Sequence, residues 1–316
     1  MAFSVGTLAA YTKENEGLLV ASSVLGSKTA SLIKDKGNVM VGVKSAETIN
    51  IMDTDAIFQD GSSCGFNASG TTSFTQRTVT VGKIKVNEAL CLKDLESKYL
   101  QKALPAGSSY DSMIYSEEYS NRKAEKIALQ LENTIWQGNT GSVDVNLNKF
   151  SGITTLITAA GAAVVNANSV ALHGVVETSI TDANVVSIFD DIYKAIPASV
   201  VDKDDITIFC GMDVFRTYTV KLKSSNLYHY QFDGKANGEF FLPGTNVKVM
   251  AVQGLNGTGK IVACRISNLF LGTDLLNEEE RFEIFYAKEA DQVRFVAEFK
   301  MGVNFAFPDE IVKFFV

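Results

Sequence analysis

Residues 110–138, YDSMIYSEEYSNRKAEKIALQLENTIWQG, decide how the rest of the chain is read. Ala124, Ile127, Ala128, Leu131 and Ile135 fall at i, i+3, i+4, i+7 and i+11, which is one apolar stripe along a helix. Asp111 or Ser112 suits its N-cap, Glu117 and Glu118 suit its first half, and Gly138 can close it. A helix over 112–137 is roughly 39 Å long at 1.5 Å per residue, far beyond an average helix of about 11–12 residues. One such helix in an otherwise strand-rich chain is a spine. Its core positions are Ile127, Leu131, Ile135 and Trp136, the last an anchor at its end.

Upstream, residues 46–91 read as a long two-stranded excursion. Ile49 and Ile51 alternate outward, DGSSCGFNASGTT (60–72) is the turn region, and the chain returns through FTQRTVTVGKIKVNEALCL (74–92). Val79 and Val81 share one face, but Ile84 and Val86 have the opposite parity. The change falls at Gly82, so a bulge or bend is expected there. An isolated ribbon is marginal in water and needs a partner surface. Residues 1–45 form a weakly patterned arm, broken by Gly17, Gly26 and Gly37, that lies along its own chain or a neighbour. A short helix is expected over 93–104.

Downstream, 182–195 has Val185, Ile188, Phe189 and Ile192 at helical spacing, 206–211 is strand-like and 212–222 helical. NVKVMAV (246–252) and KIVACRIS (260–267) read as a hairpin across the turn 254–259. Phe282, Ile284 and Tyr286, then Val293, Phe295, Ala297 and Phe299, alternate with polar residues, giving a hairpin whose apolar side faces the spine.

The 316 residues allow two ordinary domains or one elaborated one. A net charge of −7 argues against strong non-specific nucleic-acid binding, which needs Lys and Arg on phosphates. Cys64, Cys91, Cys210 and Cys264 form no CxxC pair and read as reduced thiols. No secretion signal is apparent at the N-terminus. Residues 150–176 are charge-free but too rich in small polar residues for a membrane span.

Catalytic motifs fail on context. Gly254–Lys260 fits a phosphate-cradling loop, but Ile261 stands where a hydroxyl is needed and a β-branched run replaces the helix. Gly61-Ser62-Ser63-Cys64-Gly65 is a formal GxSxG with no helix after it, and His173 and His229 stand in no recognisable setting as a base. No spaced metal-ligand pair is present, and 202–205 lacks the Gly and Glu of a calcium loop. No enzyme activity, cofactor or metal is expected.

The order of parts, with FTQRTVTVGKIKVNEALC (74–91), EKIALQLENTIWQGNTG and KFSGITTLI (125–141, 149–157), FFLPGTNVKVMAV (240–252) and VRFVAEFKMGVNFAFPDEIV (293–312), resembles the major capsid proteins of tailed bacteriophages. The resemblance implies an α+β Hong Kong 97-type capsid fold. Residues 1–45 would be the N-terminal arm, 46–91 the extended β-hairpin loop, 92–170 and 275–316 the peripheral domain with its spine helix, and 171–274 the axial domain. It implies a self-assembling virion shell protein, built in the host cytoplasm. Its partners would be copies of itself in hexamers and pentamers, portal and scaffolding proteins, an optional decoration protein, and packaged double-stranded DNA touched non-specifically, with no membrane. Phe58, Asp60, Cys64, Phe66 and Arg77 would be the extended-loop residues that meet a neighbour. No Lys lies between Lys44 and Lys83, so the welding lysine of some relatives is absent and a non-covalent shell is expected. An encapsulin-type nanocompartment shell is the nearest rival, and a tail-tube protein or a nucleotide-dependent enzyme a more distant one.

Overall fold

The computed structural model describes residues 24–61, 65–66, 68–91, 112–225, 238–274, 281–290 and 292–316. The helix expected over 93–104, the cap at Asp111, Cys64 and His229 lie outside them. In chain order come α1 (Lys28–Asp35), β1 (Val39–Val41), β2 (Ala46–Thr54), β3 (Thr72–Thr80), β4 (Gly82–Cys91) and the spine α2 (Ser112–Gln137). There follow α3 (Ile153–Ala160), β5 (Val165–Asn166), α4 (Val170–His173), α5 (Val185–Ala195), β6 (Ile206–Cys210) and α6 (Met212–Ser224). The chain ends through β7 (Glu239–Phe241), β8 (Lys248–Ala251), β9 (Lys260–Arg265), β10 (Leu269–Thr273), β11 (Arg281–Ala287), β12 (Gln292–Phe305) and β13 (Val312–Phe315).

The main sheet is organised on β12. One edge of that strand pairs with β4 over Gln292–Met301, and the other pairs first with β11 and then, over Met301–Phe305, with β10. Its odd-numbered residues, Val293 to Phe305, are buried, as the alternation requires. They pack in one cluster with Ile127, Leu131, Ile135 and Trp136 of α2. Tyr119 meets Phe295 edge-on at 6.1 Å. From Tyr119 to Trp136, one face of the spine thus packs into the cluster to which the buried side of β12 belongs.

A second sheet runs β5-β13-β9-β6-β8-β7 and carries α5 and α6, with Phe189 tilted against Tyr218 at 4.6 Å. Here the expected hairpin is corrected. Strands β8 and β9 form, but β6 lies between them, parallel to β8 and antiparallel to β9. Residues 252–259 are thus a crossover past the end of β6. Every residue of β6 is buried, so a strand covered on both faces and both edges is more stable here than a two-stranded hairpin left open.

The arm lies on its own chain over its described part. Val24, Ala30 and Ile33 are buried in the spine's cluster, and β1 adds in parallel to β10. The charge-free stretch 150–176 resolves into α3, a short 3-10 turn, β5 and α4. Among the described residues no helix is long and apolar enough to cross a membrane.

Candidate assembly site: the ribbon and its root

β2 and β3 pair antiparallel from Ala46↔Thr80 to Thr54↔Thr72 and form a two-stranded sheet of their own. The projecting ribbon is shorter than the stretch 46–91, because the return strand changes partner at Gly82. Below that point β3 belongs to the ribbon, and above it β4 joins β12. The parity change has this cause: Val79 is buried in the ribbon's root, while Ile84 and Val86 pack against the main core.

The root is held by its own body. Ile49, Ile51 and Val79 are buried with Ala306, against half-buried Met40 and Phe270. The Asn304 side-chain amide donates to the Thr78 carbonyl at 2.7 Å. The Arg77 guanidinium lies 4.3 Å from the Phe305 ring centroid and donates to Asn304 Oδ1 at 3.5 Å. Arg77 is therefore used inside the subunit, where its contacts fasten the ribbon.

The far half has no such cover. Phe58 is 99% exposed, Phe66 92%, Phe74 75% and Met52 62%, and Ile57 is exposed as well. Asp53, Asp55 and Asp60 are exposed around them, so with Arg77 turned inward the accessible surface there is apolar and acidic. Asp55 accepts from the Thr71 N–H, Asp55 N–H donates to Thr71 O at 3.2 Å, and the Thr54 and Thr72 hydroxyls meet at 3.0 Å. The ladder is thus ordered beyond the root without any apolar cover. Isolated exposed apolar residues are ordinary, but several on one projecting element mark a protein interface.

Where the spine ends, the opposite holds. The Glu132 carboxylate accepts from Thr29 N–H at 3.0 Å, from the Thr29 hydroxyl, and from Trp136 Nε1 at 3.3 Å. Trp136 Nε1 also donates to Thr29 Oγ1 at 2.8 Å, and its ring tilts over Phe209 at 5.0 Å. Gln137 donates to Gly254 O at 2.7 Å. Arm, spine and second sheet meet at this point. Burial pushes the Glu132 carboxyl above its usual range, opposed by the bonds from Thr29, Ser27 and Trp136. Lys28 continues the junction, reaching Ala251 O at 3.1 Å and Glu239 at 3.2 Å. Sequence reading found Trp136 but neither Glu132, one turn before it, nor Thr29, 107 residues away; Ser27 ahead of α1 was the available signal for the latter.

Among the described residues the motif candidates form no reactive centre, and Ser62, Ser63 and Cys64 of the GxSxG match lie outside them. In 254–260 the Gly257 N–H donates to the Asp213 carboxylate at 3.0 Å, so an acid sits where a phosphate would bind, and β9 follows instead of a helix. Lys260 Nζ lies 5.2 Å from the Phe315 ring. His173 Nδ1 is 2.7 Å from Asp191 Oδ2 and its Nε2 is 3.5 Å from Glu177 Oε1. With both nitrogens facing carboxylates it is a clasp between α4 and α5. Asp190 points to solvent while Asp191 is buried. Cys210 and Cys264 are free and buried, and burial pushes both thiols up, away from reactivity. Among the described residues no group of three or more His, Cys, Asp or Glu is placed to hold a metal.

No family model matches the chain, and no curated protein matches it. Solved structures do. A chain of the satellite phage P4 procapsid including the size determination (Sid) protein superposes with TM-score 0.63 at 11% identity, over 94% of this chain and 89% of that one. The capsid of the native GTA particle gives 0.57 at 13% identity, over 93% and 91%. The capsid of cyanophage P-SCSP1u gives 0.51 at 10% identity, over 88% and 85%. These define the class: the fold is that of phage capsid proteins, the α+β Hong Kong 97-type fold.

Proposed function

We propose that this chain is the major capsid protein of a tailed bacteriophage, which closes into an icosahedral shell of hexamers and pentamers around double-stranded DNA. The observation that carries the proposal is the ribbon: fastened at its root, ordered to its far half, and apolar where none of the described residues covers it. In this reading a neighbouring subunit covers Phe58 and Phe66. Residues 92–170 and 275–316 are the peripheral domain and 171–274 the axial domain around capsomer centres. The protein acts as a structural element, without catalysis.

Magnitudes favour a closed ring over a dimer. Burying two phenylalanines of about 150–250 Å² each at about 25 cal/mol per Å² yields roughly 7–12 kcal/mol. Association itself costs an estimated 4–15 kcal/mol. One ribbon contact is therefore marginal, whereas a ring in which every subunit gives and receives one is not. The net charge of −7 keeps the genome from adhering to the wall. With no lysine between Lys44 and Lys83 the shell is non-covalent, so mature particles run as a single band on a denaturing gel. A separate scaffolding protein and a portal complete the assembly in the host cytoplasm.

Negative-stain microscopy of the concentrated protein tests the proposal. Closed shells of uniform diameter are expected, with DNA inside particles taken from infected cells. A compact monomer at high concentration, open tubes, or shells holding an enzyme cargo would each contradict it.

A further inference from the structure

The exit of the ribbon is built on missing side chains. β4 pairs with β12 as far as Met301↔Gly82, and the next pair along that ladder would join Val81 to Gly302. The chain leaves the ladder at that point. Val81 donates its N–H to Ser45 O at 2.9 Å, Thr80 pairs with Ala46, and the ribbon crosses the face of the sheet. Beneath it lie Gly302 of β12 and Gly272 of β10, directly opposite one another in register. Residues so paired present their side chains on one face, and here that face is the one the ribbon crosses. A Cβ on Gly302 would run into the Thr80 carbonyl and the Val81 Cα, and one on Gly272 into the Val79 and Val81 side chains.

Neither glycine has a positive φ, so backbone freedom is not what the positions require. Glycine inside a strand costs roughly 0.5–1 kcal/mol relative to alanine, and this strand pair carries two that face each other. Close approach of another backbone is the remaining reason. We propose that Gly272 and Gly302 form a saddle that fixes the height and angle at which the ribbon leaves the body, and thereby which closed particle the subunits build. The proposal rests on the shell reading above. Its leverage is geometric: a lift of about 1 Å across a root of about 10 Å moves the end of a roughly 30 Å ribbon by about 3 Å. That is enough to take Phe58 out of contact with a surface it must meet within about 4.0–4.5 Å.

The test uses the full chain with Gly302→Ala and Gly272→Ala, and Ile157→Val in the main core as a control for lost stability. The glycine variants are expected to fold, melt somewhat lower, and yield fewer wild-type-diameter shells by about tenfold or more. The control should melt lower and still build wild-type shells. Adding Val79→Ala to Gly272→Ala removes the nearer of the two colliding side chains, leaving Val81, and should restore most of the wild-type shells, whereas two merely destabilising changes would add. This double variant also decides the matter if Gly302→Ala does not fold. Wild-type shells from either glycine variant, an equal defect in the control, or no rescue would overturn the saddle. If the wild type builds no shells, the shell reading falls and the saddle is judged on the monomer. Val81 amide exchange should then be faster in the folded Gly variants than in wild type, and an unchanged rate would refute it.

Discussion

The ribbon and the junction around Trp136 use the same materials to opposite ends. At the junction, Trp136 is fully buried, its indole N–H has two acceptors, and Glu132 accepts from donors on α1 and α2. On the ribbon, aromatic rings of similar size stand in water on a two-stranded ladder whose outer edges pair with no further strand among the described residues. A buried polar group without a partner costs about 1–3 kcal/mol, so the junction is complete as folded. The ribbon lacks apolar cover and strand partners at its edges, and both are things another subunit can supply without rearranging its ladder. The line between the two regimes runs through the root, where Ile49 and Ile51 are still covered by the body and Asp53, next on the same face, no longer is.

The contrast can be broken at graded depths. Trp136→Ala should cost about 3–5 kcal/mol of subunit stability, because it empties a large core site and removes a donor from Glu132 and Thr29. Thermal melting checks it, and an unchanged midpoint would mean that the junction is not the keystone described. Ile51→Ala, in the small root cluster, should cost about 2 kcal/mol, near the low end for a buried isoleucine. Its ribbon amides should exchange faster while those of α2 do not.

A smaller effect is pH-dependent. The Glu132 carboxyl titrates above its usual range in the fold, so the folded state takes the proton first. Its stabilising contribution is fully present below the unfolded value and is lost as pH rises through the folded one. Glu88, held low against burial by Lys123 and Tyr119, and Glu239, held low against burial by Lys248 and Lys28, work in the opposite direction. The difference between wild type and Glu132→Gln isolates the first group. Wild type should gain on the variant as pH falls from about 8 to about 5, and a flat or reversed difference would contradict the buried carboxyl.

Much of this arrangement was legible locally. The stripe from Ala124 to Ile135 and the closing Gly138 place the spine at its observed bounds, since helical periodicity is a property of neighbours in sequence. The parity change at Gly82 marks where the return strand changes partner, for the same reason. The hairpin over 246–267 was misread because adjacency in sequence is a local signal, while the insertion of β6 between β8 and β9 is decided by burial of the whole sheet. Thr29 with Glu132 was out of reach, being a pair set by packing across the chain. Gly302 fell within the stretch 293–312, but Gly272 lay in a segment read as no strand, and the backbone the two admit could be named only once the ribbon's path was known.

The smallest expected effect on the subunit is the largest on its assembly. Phe58→Asp with Phe66→Asp, placed where both rings are almost fully exposed, should alter subunit stability by no more than about 0.5 kcal/mol. Sedimentation of wild type and this variant, beside their melting curves, measures the central claim. Wild type should sediment as closed shells and the variant as small species with an unchanged melt. Shells from both, or small species from both with Phe58 and Phe66 shielded from solvent, would contradict it.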